Sequence, residues 1–305
     1  MTQTTSGAQA PRPPIEPAAA LRRIAFLLER TRADTYKVKA FRSAAATVLG
    51  ITTHELRSRA DAGTLRELEG IGKATEAVVI EALAGGVPTY LADLERTSSA
   101  PLAQGGEETR DALRGDLHSH SDWSDGGSPI EEMVMTAMEL GHEYLALTDH
   151  SPRLTVANGL SVARLKKQLD VVDAVNAHLG DQFRLLRGIE VDILDDGALD
   201  QTEEMLGRLD VVVASVHSKL RMERQQMTER MIVAVANPHV DILGHCTGRM
   251  IGKRPPSTFD ADYVFAACKQ FDTAVEINCR PERLDPPREL LDVAWASVSI
   301  ENQQP

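Results

Sequence analysis

His118-Ser119-His120 sets two imidazoles two residues apart, and on an extended strand such a pair points to one side and can hold one metal ion. Alone the pair is weak, because histidines two apart also arise by chance. Further ligand-type residues close four short apolar runs: Thr148-Asp149-His150, Gly188-Ile189-Glu190, Ser215-Val216-His217 and Leu243-Gly244-His245. An acidic or imidazole side chain recurring at successive strand ends predicts a multinuclear metal site. It would be built from the C-terminal ends of parallel strands, where barrel enzymes keep their chemistry. A second signal is Leu68-Glu69-Gly70-Ile71-Gly72-Lys73-Ala74. Gly70 and Gly72 would let the backbone approach a phosphate, with the amides of a helix starting at Lys73 pointing at it. Such contacts hold a nucleic-acid backbone without reading its sequence. The same glycines would equally serve a tight turn between helices.

The elements that must position these residues fall into two patterns. Residues 18–96 read as all-helical, with Leu21, Ile24, Ala25, Leu27 and Leu28 on one face, a second helix from Tyr36 to Leu49, a third over His54–Ala62 and a fourth over Lys73–Leu83. Residues 1–17 read as a disordered tail, 97–112 as a polar linker and 113–305 as the second domain. There, strands are expected at 115–118, 143–148, 184–190, 210–216, 240–245 and 273–278. Helices are expected at 128–140, 161–179, 199–208, 222–236 and 259–270. This alternation implies parallel strands joined by crossovers, an α/β sheet or barrel, and ligands at so many strand ends favour the barrel.

Composition narrows the function classes. No apolar run approaches the ~18 residues of a membrane span. The N-terminal stretch lacks the apolar centre of a signal peptide. The three cysteines, Cys246, Cys268 and Cys279, show no Cys-x-x-Cys spacing, so a reducing cytoplasm and no disulfide framework are expected. The net charge of −12 argues against a protein that coats nucleic acid. Residues 1–100 are close to neutral, with 13 basic against 11 acidic, and the remainder carries 20 against 34. An acidic domain suits cations, and its neighbour can still touch phosphate locally.

The motifs His118-Ser-His120, Ser124-Asp125-Gly126, Thr148-Asp149-His150-Ser151, Gly188-Ile-Glu190, Ser215-Val-His217-Ser218, Gly244-His245 and Glu276-Ile-Asn278 together resemble the PHP (polymerase and histidinol phosphatase) domain. Asn237-Pro238-His239 through His245 and Arg280-Pro281-Glu282-Arg283-Leu284-Asp285 resemble most the PHP type carried by bacterial family X DNA polymerases. Residues 18–96, with the glycine loop and Tyr36-Lys37-Val38-Lys39-Ala40-Phe41-Arg42, resemble the helix-hairpin-helix domain of the same polymerases. The resemblance implies a distorted (β/α)7 barrel with up to three divalent ions, Zn²⁺, Mn²⁺ or Fe²⁺. It puts His118 and His120 on a first metal, with Glu190 bridging to a second that His217 and His245 complete, and Asp125 and His150 on a third. Glu190 and His217 would also serve catalysis, because two bridged cations can activate water and stabilise a pentacoordinate phosphate. Lys219, Arg249 and Arg280, just past ligand positions, are candidate phosphate clamps, with a solvated surface charge the alternative for each. Asp122 and Asp149 are expected to orient imidazoles, and Trp123 to wall the pocket or stack a base. Cys246 is read as a packed neighbour, Trp295 as core, and His54, His142, His178 and His239 as surface or packing residues.

The sequence also departs from that family. The linker leaves no room for a polymerase core, and Val78 stands where some members carry a lyase lysine, so neither activity is expected. The family's closing strand ends in Asp-x-His, yet no histidine follows His245, so a barrel truncated at its C-terminal end is expected. Asp116 is a candidate to compensate for the lost ligand. The reading with most support is a metal-dependent phosphoesterase acting on DNA 3′ ends, with Gly70, Gly72 and Lys73 binding DNA. A small-molecule phosphatase of the histidinol-phosphate kind and a DNA-binding protein with a decayed site are the alternatives.

Overall fold

The computed structural model describes residues 15–98 and 105–299, so the tail expected over 1–17 lies almost wholly outside the described residues. The chain divides into two compact units, Met1–Gly106 and Glu107–Pro305.

In the first unit, α1 (Pro17–Arg30) opens on a proline, whose fixed φ suits the first helical turn, and buries Leu21, Ile24 and Leu28. Asp34 caps α2 (Thr35–Leu49) by accepting from the Tyr36 amide. Thr52 caps α3 (Thr53–Ala62) in the same way, and Gly63 ends that helix in the left-handed conformation. Helices α4 (Lys73–Leu83) and α5 (Thr89–Ser98) complete a core that includes Phe41, Leu65, Val79 and Leu91. Gly70 has φ +78°, and a side chain there would meet Ser43 Oγ at 2.5 Å, so glycine is required. Gly72 faces open space, and Lys73 beside it is exposed at the start of α4.

The second unit begins with α6 (Glu107–Ala112), a short helix inside the segment expected to be a polar linker. Glu107 and Glu108 in its first turn and Arg110 in its last complement the helix dipole, a local signal that the polar composition masks. Strands β1 (Gly115–Ser119), β2 (Tyr144–Leu147), β3 (Arg184–Asp192), β4 (Val211–Ser215), β5 (Ile242–Leu243) and β6 (Ala274–Val275) follow, each pairing in parallel with the next in sequence. Between them run α7 (Ile130–Glu139), α8 (Val162–Leu179), α9 (Glu203–Leu206), α10 (Arg224–Val235) and α11 (Ala261–Gln270). Strand β4 is buried along its whole length, as parallel strands covered on both faces must be. Unbroken order with parallel crossovers winds the sheet in one sense, which is barrel topology. In a flat sheet β1 and β6 would stand roughly 24 Å apart, five interstrand spacings. Yet His118 on β1 lies 2.8 Å from Glu276, the residue after β6, so the sheet curls until its outer strands meet at their C-terminal ends.

Among the described residues, no strand follows β6; α12 (Arg288–Ser299) does. Trp295 is 76% exposed, contrary to its expected place in the core. Leu290, Val293 and Ala294 form the face of α12 that packs inward, and the next position turns about 100° away from it. No helix of the described residues is long and apolar enough to cross a membrane.

Candidate metal centre

The strand ends deliver five imidazoles and one carboxylate to a single point. Glu190, near the end of β3, is 1% exposed. Its Oε1 lies 3.5 Å from His118 Nε2, 3.3 Å from His217 Nε2 and 2.9 Å from His245 Nε2. Its Oε2 lies 3.4 Å from His120 Nε2 and 2.8 Å from His150 Nδ1. The imidazoles form a closed ring around this carboxylate. In the order His118, His120, His150, His217, His245 and back to His118, successive centroids are 5.2, 4.4, 5.1, 5.4 and 6.0 Å apart. The pairing register of β1 slips between Asp116 and Ser119, an irregularity of the kind that re-aims side chains beside active sites.

Burial opposes an imidazolium at His118, but Glu190, with Glu276 behind it, outweighs burial and raises His118 to about 10. At His150 burial is likewise overcome, by Asp125 and Glu190, which raise it to about 9. Burial holds His245 below its ordinary value. It disfavours charge on Glu190 too, yet the surrounding imidazoles keep that carboxyl well below the usual range.

The residues fit divalent cations. Glu190 Oε1 and both ring nitrogens of His217 are buried without a hydrogen-bond partner. Each such group costs about 1–3 kcal/mol when nothing answers it. Three overlapping groups have ligand atoms close enough to share an ion: His118–His120–Glu190, His120–Asp125–His150 and His150–Glu190–His217. His120 and His150 are thus each shared between two groups. Imidazole mixed with carboxylate suits Zn²⁺, Mn²⁺ or Fe²⁺.

Two supporting carboxylates received no site role from the sequence, although Glu276 lies in one of the motifs that carry the resemblance. Glu276 Oε1 lies 2.8 Å from His118 Nδ1, and its Oε2 accepts from the His245 amide. The signal was its place at the sixth strand end, in register with the other ligands. Asp192 accepts from the His217 amide at 3.2 Å and lies 3.5 Å from its Nδ1. It stands two residues after Glu190 on the same strand, a spacing that returns to the same face.

The structure places the remaining candidates as follows. Asp149 orients no imidazole: it accepts from the Ser121 amide and from the side chains of Ser121, Ser124 and Gln168, building the 121–126 loop. The Asp122 amide donates to Ser128 O in that loop. Asp116 accepts from the His118 amide, and the carboxylate at His118 Nδ1 is Glu276. Lys219 is tied to Asp195 at 2.5 Å, and Arg249 donates to the carbonyls of Arg283 and Leu284. Arg280 pairs with Glu282 at 3.4 Å. Trp123 packs half-buried against the core. His239 pairs with Glu203, while His54 and His178 are exposed.

Gly126 closes the loop that carries Asp125, donating its amide to Ser121 O at 2.9 Å. A Cβ there would lie 2.1 Å from His120 O, so Gly126→Ala is expected to cost about 2–4 kcal/mol by forcing the loop outward. Chemical denaturation measures the loss; a variant within about 0.5 kcal/mol of the parent would show that the loop gives way freely.

A model of the PHP domain matches residues 116–270, and a model of a helix-hairpin-helix domain matches 13–88. The DNA polymerase/3′-5′ exonuclease PolX of Bacillus subtilis (strain 168) is 44% identical over 173 residues, covering 57% of this chain and 30% of that protein. A protein of Thermoanaerobacter sp. (strain X514) described as a probable phosphatase is 31% identical over 169 residues, covering 53% of this chain and 63% of that protein. The chain therefore spans less than two thirds of either relative. The solved structure of a candidate histidinol phosphatase from Listeria monocytogenes aligns with a TM-score of 0.45 at 15% identity, over 60% of this chain and 91% of that one.

Proposed function

The chain belongs to the PHP domain family, and on that premise we propose that it is a divalent-metal-dependent phosphoesterase acting on DNA 3′ ends, as a 3′-phosphatase or 3′→5′ exonuclease. The observation that carries the hydrolase reading is the ring of five imidazoles closed around buried Glu190. His118, His120, Asp125, His150, Glu190, His217 and His245 would hold the cations. When bound there, such ions polarise a phosphoryl oxygen and lower the pKa of water toward neutrality. The chain's own residues fix the geometry. Glu276 accepts from His118 Nδ1 and thereby turns its Nε2 toward Glu190. Asp192 steadies His217, and Asp125 lies 3.3 Å from His120 Nδ1 and 3.5 Å from His150 Nε2.

DNA as substrate is supported by the helix-hairpin-helix match and by the printed activity of the Bacillus relative. Gly72, open to solvent, and Lys73 leave the start of α4 accessible to a phosphate backbone. The probable-phosphatase relative favours a second reading, a small-molecule phosphatase.

An end-labelled DNA assay with Mn²⁺ tests the proposal by comparing 3′-phosphate with 3′-hydroxyl primers. Phosphate release or laddering is expected, reduced about 10²-fold or more in His217→Ala. No DNA turnover from folded, manganese-loaded protein, alongside hydrolysis of small phosphomonoesters, would replace the DNA reading with the second one.

A further inference from the structure

Helix α8 buries one face, made by Leu165, Gln168, Leu169 and Val172. Positions i, i+3, i+4 and i+7 form the apolar stripe of an amphipathic helix, and Gln168 stands in it where a leucine would pack better. The glutamine is 1% exposed. A primary amide buried in such a place costs stability unless it finds a partner. Its Nε2 donates to Asp149 Oδ2 at 2.6 Å.

Asp149, just past β2, is 0% exposed and reaches the 121–126 loop. Besides Gln168, it accepts from the Ser121 amide at 2.9 Å, from the Ser121 hydroxyl at 2.6 Å and from the Ser124 hydroxyl. A second tie comes from the same helix. Arg164, about one turn before Gln168, donates to Trp123 O, which also accepts from Asn158 Nδ2 at 3.0 Å. Helix α8 thus grips the loop at Ser121, Trp123 and Ser124, directly or through Asp149, and the next residue is Asp125.

Asp125 has little else to hold it. Its side chain is 51% exposed. Its approaches to His120 Nδ1 at 3.3 Å and His150 Nε2 at 3.5 Å exceed the roughly 2.7–2.9 Å of a charge-assisted hydrogen bond. His120 Nδ1 is buried without a hydrogen-bond partner. The loop, not the imidazoles, therefore decides where this carboxylate stands. Its ligand atom nevertheless falls within sharing distance of those of His120 and His150. An exposed carboxylate on a free loop would scatter over many conformers, and gathering them would weaken its hold on a cation.

We propose that Gln168, acting through Asp149, is a positioning residue that sets the Asp125 carboxylate against His120 and His150 and so sets the affinity of the divalent cation held by those three. This rests on the metal-centre part of the proposed function and names the group that tunes one position in it. Such outer partners govern how tightly a ligand set binds because they fix its orientation before the ion arrives.

Equilibrium dialysis of the full chain against Mn²⁺ tests the role, with Asp125→Asn marking the ion in question. That variant is expected to lose the manganese held by His120, Asp125 and His150 and to keep the rest; if it loses none, the proposal falls. Gln168→Met, close in volume but without the amide, should weaken manganese at the marked position about 10-fold and leave the remaining binding unmoved. In the Asp125→Asn background the same change should do nothing further, because its route to the ion has gone. A merely structural role would weaken binding equally in both backgrounds, and that result overturns the proposal. So does unaltered manganese binding in folded Gln168→Met. If that variant melts early, Ser124→Ala removes another donor to Asp149 for the loss of one oxygen, and unaltered binding in it overturns the proposal instead. Dialysis reads the ion and not turnover. Gln168-dependent manganese binding in a protein that hydrolyses no phosphoester would sustain the positioning role and remove the phosphoesterase reading. Hydrolysis in a protein whose manganese binding ignores Gln168 would do the reverse.

Discussion

Replacing Glu190 by glutamine is expected to lower phosphoester hydrolysis by about 10³-fold or more and to strip most of the bound divalent cation. Both carboxylate oxygens face imidazoles, three on Oε1 and two on Oε2. Glutamine keeps the shape but turns one acceptor into an N–H donor, which neither a cation nor a ring N–H can use. It also removes a negative charge from an enclosed site, where charge interactions are much stronger than in water. Metal content after desalting and turnover at saturating Mn²⁺ check the result together. A glutamine variant that keeps both its manganese and its rate would show that Glu190 does not bridge the cations.

The largest expected loss of stability comes from a residue outside the ligand set. Arg230 on α10 is 1% exposed, and its guanidinium donates to Leu194 O at 2.8 Å, to Ser218 O at 3.0 Å and to Ile193 O. Those carbonyls belong to the segments that leave β3 just past Asp192 and β4 just past His217. Methionine in place of Arg230 can refill the stem but supplies no donor. The substitution is expected to cost about 3–5 kcal/mol, because carbonyls stranded in a dry interior outweigh the relief of unburying one charge. Urea denaturation should show a lower midpoint at an unchanged slope, and manganese affinity should fall with it because Ser218 adjoins His217. A loss below about 1 kcal/mol would mean that water reaches the freed carbonyls.

The candidate ligand residues were legible because their signal is local. His118, His150, Glu190, His217 and His245 each close a short apolar run, and strand–helix alternation implies parallel strands whose ends lie on one side of the sheet. Glu276 occupies the equivalent place on the sixth strand and was still passed over as a supporting group, because a lone carboxylate there has no partner in the sequence. Lys219 and Arg249 show what adjacency in sequence leaves out. Their place beside candidate ligands could not show that Asp195 and two loop carbonyls, distant in sequence, bind these side chains.

By itself the amino-acid sequence determined which side chains could ligate, the helical character of the first unit and the strand–helix alternation of the second. These follow from residue chemistry and from periods of 3.6 and 2 residues. Tertiary structure alone decided that β1 and β6 meet and that five imidazoles surround one carboxylate. Those outcomes depend on how the sheet curls and on which distant groups it brings together. Neither is encoded within any single stretch of chain.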